Sequence, residues 1–117
     1  PVSDGHLAHL FLRLRRRALP EEIRSELRAF GSRGPSTLPT LRVSPLVVTD
    51  GPDRPQPRLD VGRGGGMTVS VGRVRASPPH DVAFVVLSHN AVRGAAGACL
   101  ANAEAAFARS TPRARPP

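Results

Sequence analysis

Alternation of apolar and polar residues near the start of the chain predicts a β-strand from His6 to Leu14. A run of arginines then interrupts the pattern. Pro20 is followed by two glutamates, and this combination is typical of a helix start, because proline fits the first turn and acidic side chains favour the positive end of the helix dipole. A helix is therefore expected from Pro20 to Phe30, with Gly31 ending it.

The middle of the chain is rich in turn-forming residues. Residues 32–44 are expected to form turns, and Pro45 to Thr49 a short apolar strand. The connection that follows contains three prolines and ends at Gly64-Gly65-Gly66. We expect no secondary structure in it, and a loop of this length in a compact domain is typically functional or disordered.

Two further strands are predicted after the glycines. Residues 67–72 alternate between apolar and small or polar types, which predicts a half-buried strand whose apolar face turns basic at Arg73 and Arg75. Residues 82–87 are continuously apolar, as in a central strand covered on both faces. The short link through Ser77-Pro78-Pro79 predicts that the two strands are antiparallel neighbours.

An alanine-rich helix is predicted from Ala91 to Arg109, at the end of a single domain covering residues 1–110. Its apolar stripe consists of Val92, Ala96, Cys99, Ala103 and Phe107. Gly94 and Gly97 weaken a helix, so a close approach by a neighbouring backbone or a ligand is expected to require them. Residues 111–117 form a proline- and arginine-rich tail that is predicted to be disordered.

The charge pattern does not by itself predict nucleic-acid binding. The formal net charge is +8, and all 17 basic residues are arginine. Arginine in place of lysine, with abundant alanine, proline and glycine, is typical of coding bias in a GC-rich genome. No aromatic residue lies among the arginines to stack on bases. We therefore expect neither nucleic acid nor a membrane as a partner, and a single cysteine fits a reducing cytoplasm.

Four segments resemble signatures of aspartate-semialdehyde dehydrogenases of the archaeal and fungal type. They are Asp4-Gly5-His6, Arg54 to Asp60, Val69 to Arg75, and Leu87 to Gly97, and the resemblance covers residues 1 to about 109. It implies an α+β fold with a mixed, largely antiparallel sheet and helices on one face, like the C-terminal domain of glyceraldehyde-3-phosphate-dehydrogenase-like enzymes. It also implies a homodimer or tetramer.

The resemblance implies chemistry for two residues. The family reduces 4-phospho-L-aspartate to its semialdehyde with NADPH, on the route to lysine, threonine and methionine. In its pattern, His6 corresponds to the acid/base that assists a cysteine forming a thioester, and Asn90 to an amide close to NADP(H). By residue type alone, His6 could be a hydrogen-bonded structural histidine, and Asn90 could cap the following helix.

Other family parts are expected upstream of Pro1: the nucleotide-binding half, the nucleophilic cysteine and the substrate-gripping arginine. The chain is thus expected to be a fragment without activity of its own. Cys99 lies on the apolar stripe and is expected to be a small hydrophobic residue rather than the nucleophile. Arg73 is expected at a surface or interface. The spacing of the histidines with Cys99 does not predict a metal site.

Two other functions remain open from the sequence. A related acyl-CoA reductase, of the malonyl-CoA type, would share the cysteine and histidine chemistry but act on a CoA thioester. A noncatalytic interaction domain, binding nucleic acid through its arginines, would show salt-sensitive binding.

Overall fold

The computed structural model describes residues 2–32 and 38–110, so the predicted tail and part of the turn-rich segment lie outside the described residues. The described chain contains a four-stranded sheet in the order β1-β4-β3-β2. Its strands are β1 (His6–Leu12), β2 (Leu46–Val48), β3 (Val69–Ser77) and β4 (His80–Ser88). β1 ends two residues before the predicted boundary.

The sheet is mixed, as predicted. β4 pairs antiparallel with β1 on one side and with β3 on the other, whereas β2 pairs parallel with β3. Pro78 and Pro79 link β3 to β4 in a tight hairpin, which confirms the predicted antiparallel neighbours. The apolar run in β4 lies in the centre of the sheet, and Val82 and Val85 are both fully buried although they point to opposite faces.

Helix α1 (Pro20–Gly31) covers one face of this sheet. It begins as its sequence predicts: Pro20 occupies the first turn, and the carboxylate of Glu22 accepts a hydrogen bond of 2.6 Å from the backbone N–H of Leu19. Ile23 and Leu27 of the helix then pack on the main apolar cluster of the sheet. That cluster consists of Val71, Val74, Val82 and Phe84.

The opposite face carries the connection between β2 and β3. This segment contains helix α2 (Pro57–Asp60) and a 3-10 turn at Arg63–Gly66, so the prediction that it lacks secondary structure was wrong. The backbone of Arg54 lies so close to Gly72 of β3 that a Cβ atom there would overlap its carbonyl oxygen. β3 is therefore buried on both faces from Ser70 to Gly72, not half-buried as alternation predicted.

A π-helical turn (Val92–Ala96) leads into α3 (Gly97–Ser110). Only Ala101 of α3 is buried, and Glu104 accepts hydrogen bonds from the backbone N–H and the hydroxyl of Thr40 at 3.0 and 2.6 Å. The predicted apolar stripe lies largely on the exposed side, and Cys99 is exposed. The predicted helix is present, but within the described chain α3 packs through a face other than the apolar stripe, against the 3-10 turn at Pro39–Leu41.

Candidate functional site

The segments around His6 and Asn90 meet at one end of the sheet. His6 is the first residue of β1 and pairs with Ser88, the last residue of β4. The backbone N–H of Gly5 donates a hydrogen bond of 3.0 Å to the Oδ1 atom of Asn90. Antiparallel pairing of β1 with β4 thus brings together two of the segments that carry the family resemblance.

Gly5 has a conformation that other residues rarely adopt. Its φ is +98°, and a Cβ atom at this position would lie 2.9 Å from Cγ2 of Val61 and 3.1 Å from Cδ1 of Leu87. The backbone immediately before His6 is therefore enclosed by Val61 on the connection, Leu87 on β4 and the amide of Asn90. Glycine is required here both for its φ and for the space.

Asn90 does not cap the following helix, so that interpretation was wrong. Ala91 holds the position before the π-helical turn, and the side-chain Oδ1 atom of Asn90 accepts its hydrogen bond from Gly5 instead. His89 accepts hydrogen bonds from the first turn of the helical segment. Its Nδ1 accepts one of 3.3 Å from the N–H of Val92, and its backbone oxygen accepts one of 2.9 Å from the N–H of Gly94. The sequence analysis assigned no role to His89.

The glycines near His89 explain the close packing of the helical segment. At Gly66, where φ is +84°, a Cβ atom would lie 2.9 Å from Cδ2 of His89. At Gly97 it would overlap the sulfur of Met67, so the close approach at this glycine comes from a side chain and not from the neighbouring backbone or ligand that was expected. Gly94 differs, because its nearest neighbour beyond its own helix is the His89 carbonyl oxygen at 3.5 Å, an ordinary contact.

A buried carboxylate organises the connection beside this site. The side chain of Asp60 is fully buried and accepts hydrogen bonds from Nε and Nη2 of Arg54, from the backbone N–H of Gln56 at 2.8 Å, and from Nε of Arg63 at 2.9 Å. The hydrogen bonds from Arg54 hold the pKa of Asp60 well below its usual range, against the opposing effect of burial. The same pairing raises the pKa of Arg54.

The family resemblance implies that the loop containing Arg54 to Asp60 contacts another subunit or the substrate, but it does not predict the ion cluster around Asp60. A signal for its structure was present, since an arginine and an aspartate six residues apart flank two prolines, which restrict the chain between them. The burial of the aspartate could not be read from the sequence, because it depends on the connection folding back onto β3.

A cleft of about 400 Å³ separates this connection from the segment before β1. It is lined by Val2, Ser3, Asp4, Pro57, Arg58 and Val61. The cleft therefore lies between the Asp4-Gly5-His6 segment and α2, with one carboxylate and one guanidinium available to a polar ligand. His6 itself is exposed at the start of β1.

Arg73 has a role within the domain. It lies in an irregularity of β3 with φ of +53°, and its guanidinium donates hydrogen bonds to the backbone oxygens of Asp53 at 2.8 Å and Pro55 at 3.3 Å. These bonds join the strand to the connection that carries Asp60. Arg75, by contrast, is exposed.

Within residues 2–32 and 38–110, no three histidine, cysteine, aspartate or glutamate side chains gather in a way that could hold a metal ion. No helix in the same ranges has the length and apolar character needed to cross a membrane.

Comparison with known proteins identifies the family. A sequence model described as the semialdehyde dehydrogenase dimerisation domain matches residues 1–93. The chain belongs to the semialdehyde dehydrogenase dimerisation-domain family. The resemblance inferred from the four signature segments is thereby confirmed. The match includes the first three segments completely and the fourth as far as Arg93.

Individual members of this family are similar over most of the chain. The aspartate-semialdehyde dehydrogenases of Archaeoglobus fulgidus and Aspergillus fumigatus are 44% and 45% identical to it, over 89% and 90% of its length. The crystal structure of the Candida albicans aspartate-semialdehyde dehydrogenase with NADP superimposes with a TM-score of 0.79 at 40% identity and covers 93% of the chain. The predicted fold class is confirmed by this likeness.

The chain spans only part of the length of these relatives. It covers 29% of the Archaeoglobus fulgidus enzyme, 31% of the Aspergillus fumigatus enzyme and 31% of the Candida albicans chain.

Proposed function

We propose that this chain is the C-terminal domain of an aspartate-semialdehyde dehydrogenase and supplies His6 as the acid/base of the reaction. The complete enzyme would carry out the NADPH-dependent reductive dephosphorylation of 4-phospho-L-aspartate, in the synthesis of lysine, threonine and methionine. The observation that supports this most strongly is the Gly5–Asn90 hydrogen bond, because it holds the start of β1 against the segment that the resemblance links to NADP(H).

The environment of His6 suits proton transfer to a group supplied by another domain. The residue is exposed at the end of an edge strand, while the backbone before it is enclosed by Val61, Leu87 and Asn90. Its imidazole would take the proton from a cysteine thiol of an upstream domain as the thiol attacks the acyl phosphate, since a thiol is mostly protonated at neutral pH. The same imidazole would then assist the later proton transfers.

The residues near Asn90 fit a dinucleotide approaching from outside this domain. The oxygen of the Asn90 side chain faces Gly5, which leaves its amide N–H groups available to a ligand. A Cβ atom at Gly94 would make only an ordinary contact, with the His89 carbonyl oxygen at 3.5 Å, so the backbone beside the same helical turn is not crowded. NADPH, when bound, supplies the hydride that reduces the acyl group; Asn90 and Gly94 would help to position it.

Exposed apolar side chains point to two further contacts. On β1, the exposed fractions are 40% for Leu7 and 49% for Phe11, and both lie on the sheet face opposite α1. We assign this face to subunit pairing in a homodimer or tetramer, in keeping with the description of the family as a dimerisation domain. The exposed side of α3, which carries Cys99 and Leu100, would pack on the nucleotide-binding domain. A cytoplasmic location accords with the single cysteine.

A chimera provides the test of function. Residues 2–110 would replace the matching C-terminal segment of the Archaeoglobus fulgidus enzyme, and reduction of NADP would be followed with aspartate semialdehyde and phosphate. We expect activity, and a loss of at least about 100-fold for His6→Ala. His9→Ala is the matched control for loss of an exposed histidine on the same strand, and because His9 shares the sheet face of Leu7 and Phe11, its oligomeric state is compared with that of the unsubstituted chimera.

The outcomes separate the candidate functions. A folded chimera without turnover on aspartate semialdehyde, or undiminished turnover in His6→Ala, would contradict the proposal. Reduction of an acyl-CoA in place of the aspartyl substrate would assign the domain to the reductase branch instead.

A further inference from the structure

The geometry points to Asp60 as a positioning residue for His6: its buried ion cluster fixes Val61 against Gly5 and thereby sets where the imidazole stands. This inference rests on the proposed acid/base function of His6. Asp60 does not touch the reacting groups, and it acts through the backbone on either side of the Gly5–Val61 contact.

The ion cluster around Asp60 is held together at both ends of α2. The Asp60 carboxylate is fully buried, and two guanidiniums and a backbone N–H surround it. Arg54 and Arg63 bracket α2 and its following turn, so both ends of the segment are tied to one carboxylate. Removing one partner of such a buried charge pair is strongly unfavourable, because it leaves the remaining charge without compensation.

Val61 links Asp60 to Gly5. Val61 follows Asp60 directly and donates its backbone N–H to the oxygen of Pro57 at 3.1 Å, so the end of α2 fixes its backbone. Its Cγ2 atom closes the space where a Gly5 Cβ would lie. A shift of the Asp60 carboxylate must therefore also shift Val61, against which Gly5 packs.

The position of His6 depends on this contact between Val61 and Gly5. Among the described residues, no hydrogen bond holds the His6 imidazole directly. Its place depends on the pairing with Ser88 and on the backbone of Gly5, which is fixed from two sides by Asn90 and Val61. Misplacement of a catalytic group by about 1 Å can lower turnover about 100-fold, so a support of this kind matters for rate.

The structural test uses NMR spectroscopy of the 117-residue chain. In Asp60→Asn we expect loss of the nuclear Overhauser contacts between Val61 methyl groups and Gly5, together with a changed His6 imidazole shift. Asp50→Asn is the matched control, because Asp50 pairs with a single arginine, Arg28, on the exposed surface. Val61→Ala keeps the ion cluster and removes only the methyl contact, so it decides the matter if Asp60→Asn fails to fold.

The kinetic test uses the active chimera. A positioning role predicts that Asp60→Asn and Val61→Ala lower kcat about tenfold or more and leave KM within about twofold, since substrate binding groups are untouched. Asp50→Asn should leave both constants unchanged. An unaltered His6 resonance and kcat in Val61→Ala would overturn the inference. If the chimera that carries the unsubstituted domain is inactive, the proposed function alone is refuted, since the NMR comparison still decides whether Asp60 positions His6.

Discussion

The side-chain oxygen of Asn90 accepts a hydrogen bond from the backbone N–H of Gly5, across 85 positions of sequence. The partner must be the oxygen of the amide, because an N–H can donate only to an acceptor. The bond joins the residue before β1 to Asn90 in the short connection between β4 and the π-helical turn. It thus closes the end of the sheet at which His6 lies.

The Gly5–Asn90 bond should contribute measurably to stability. Asn90→Ala removes the acceptor, and we expect the free energy of unfolding to fall by about 1 kcal/mol. Asn90→Asp retains an oxygen at the same place and should preserve most of it. Urea unfolding followed by circular dichroism measures both variants. Equal losses for the two would show that the oxygen does not carry the interaction.

Gly5→Ala tests the backbone conformation before His6. The φ of +98° and the 2.9 Å approach of Val61 together predict a loss of stability of about 1–3 kcal/mol. Gly62→Ala is the control: its φ is −82°, and no atom outside its immediate chain neighbours lies within 4 Å of the added methyl group. Thermal unfolding of the pair should separate them by several degrees, and equal melting temperatures would count against strain at Gly5.

Two glycines in the C-terminal helical segment should respond in opposite directions. Gly97→Ala places a methyl group against Met67 and the Val92 carbonyl oxygen, so it should destabilise the domain. Gly94→Ala meets only an ordinary contact and should stabilise the helix by about 0.5–1 kcal/mol. Calorimetry of the two variants checks the signs.

Gly94 also bears on the cofactor. In the active chimera, Gly94→Ala should raise KM for NADP despite its added stability, because the methyl group would occupy space assigned to the dinucleotide. An unchanged KM would remove Gly94 from the proposed cofactor contact.

Local patterns predicted the elements of this fold more successfully than their environments. Proline and acidic residues correctly located α1, and the apolar run correctly placed β4 in the sheet centre. The stripe through Cys99 is exposed in the described chain, and periodicity alone could not show this, because it identifies an apolar face but not the partner that covers it. The burial of Asp60 was missed for a related reason: it arises from long-range packing of the connection on β3.

The exposed face of β1 predicts self-association. Phe11→Asp would place a charge on the apolar face that Phe11 shares with Leu7, so the mass measured by analytical ultracentrifugation should fall from a multiple of 12.4 kDa to 12.4 kDa. Leu19→Asp is the matched control, because Leu19 is 69% exposed but lies beside α1, away from this face. A monomeric native chain, or association that survives Phe11→Asp, would contradict the assignment.

Asp60 should make the stability of the domain depend on pH. Its pKa is lowered in the folded chain from an unfolded value of about 3.9, so the unfolded state binds its proton first as pH falls. The stabilisation is therefore fully present above about pH 5 and is lost progressively as pH falls below about 4 toward the folded pKa. Asp60→Asn should be less stable at pH 7 and should show a shallower decline between about pH 5 and pH 2. Urea unfolding at several pH values provides both slopes, and parallel curves for the native chain and the variant would show that another carboxylate governs the acid response.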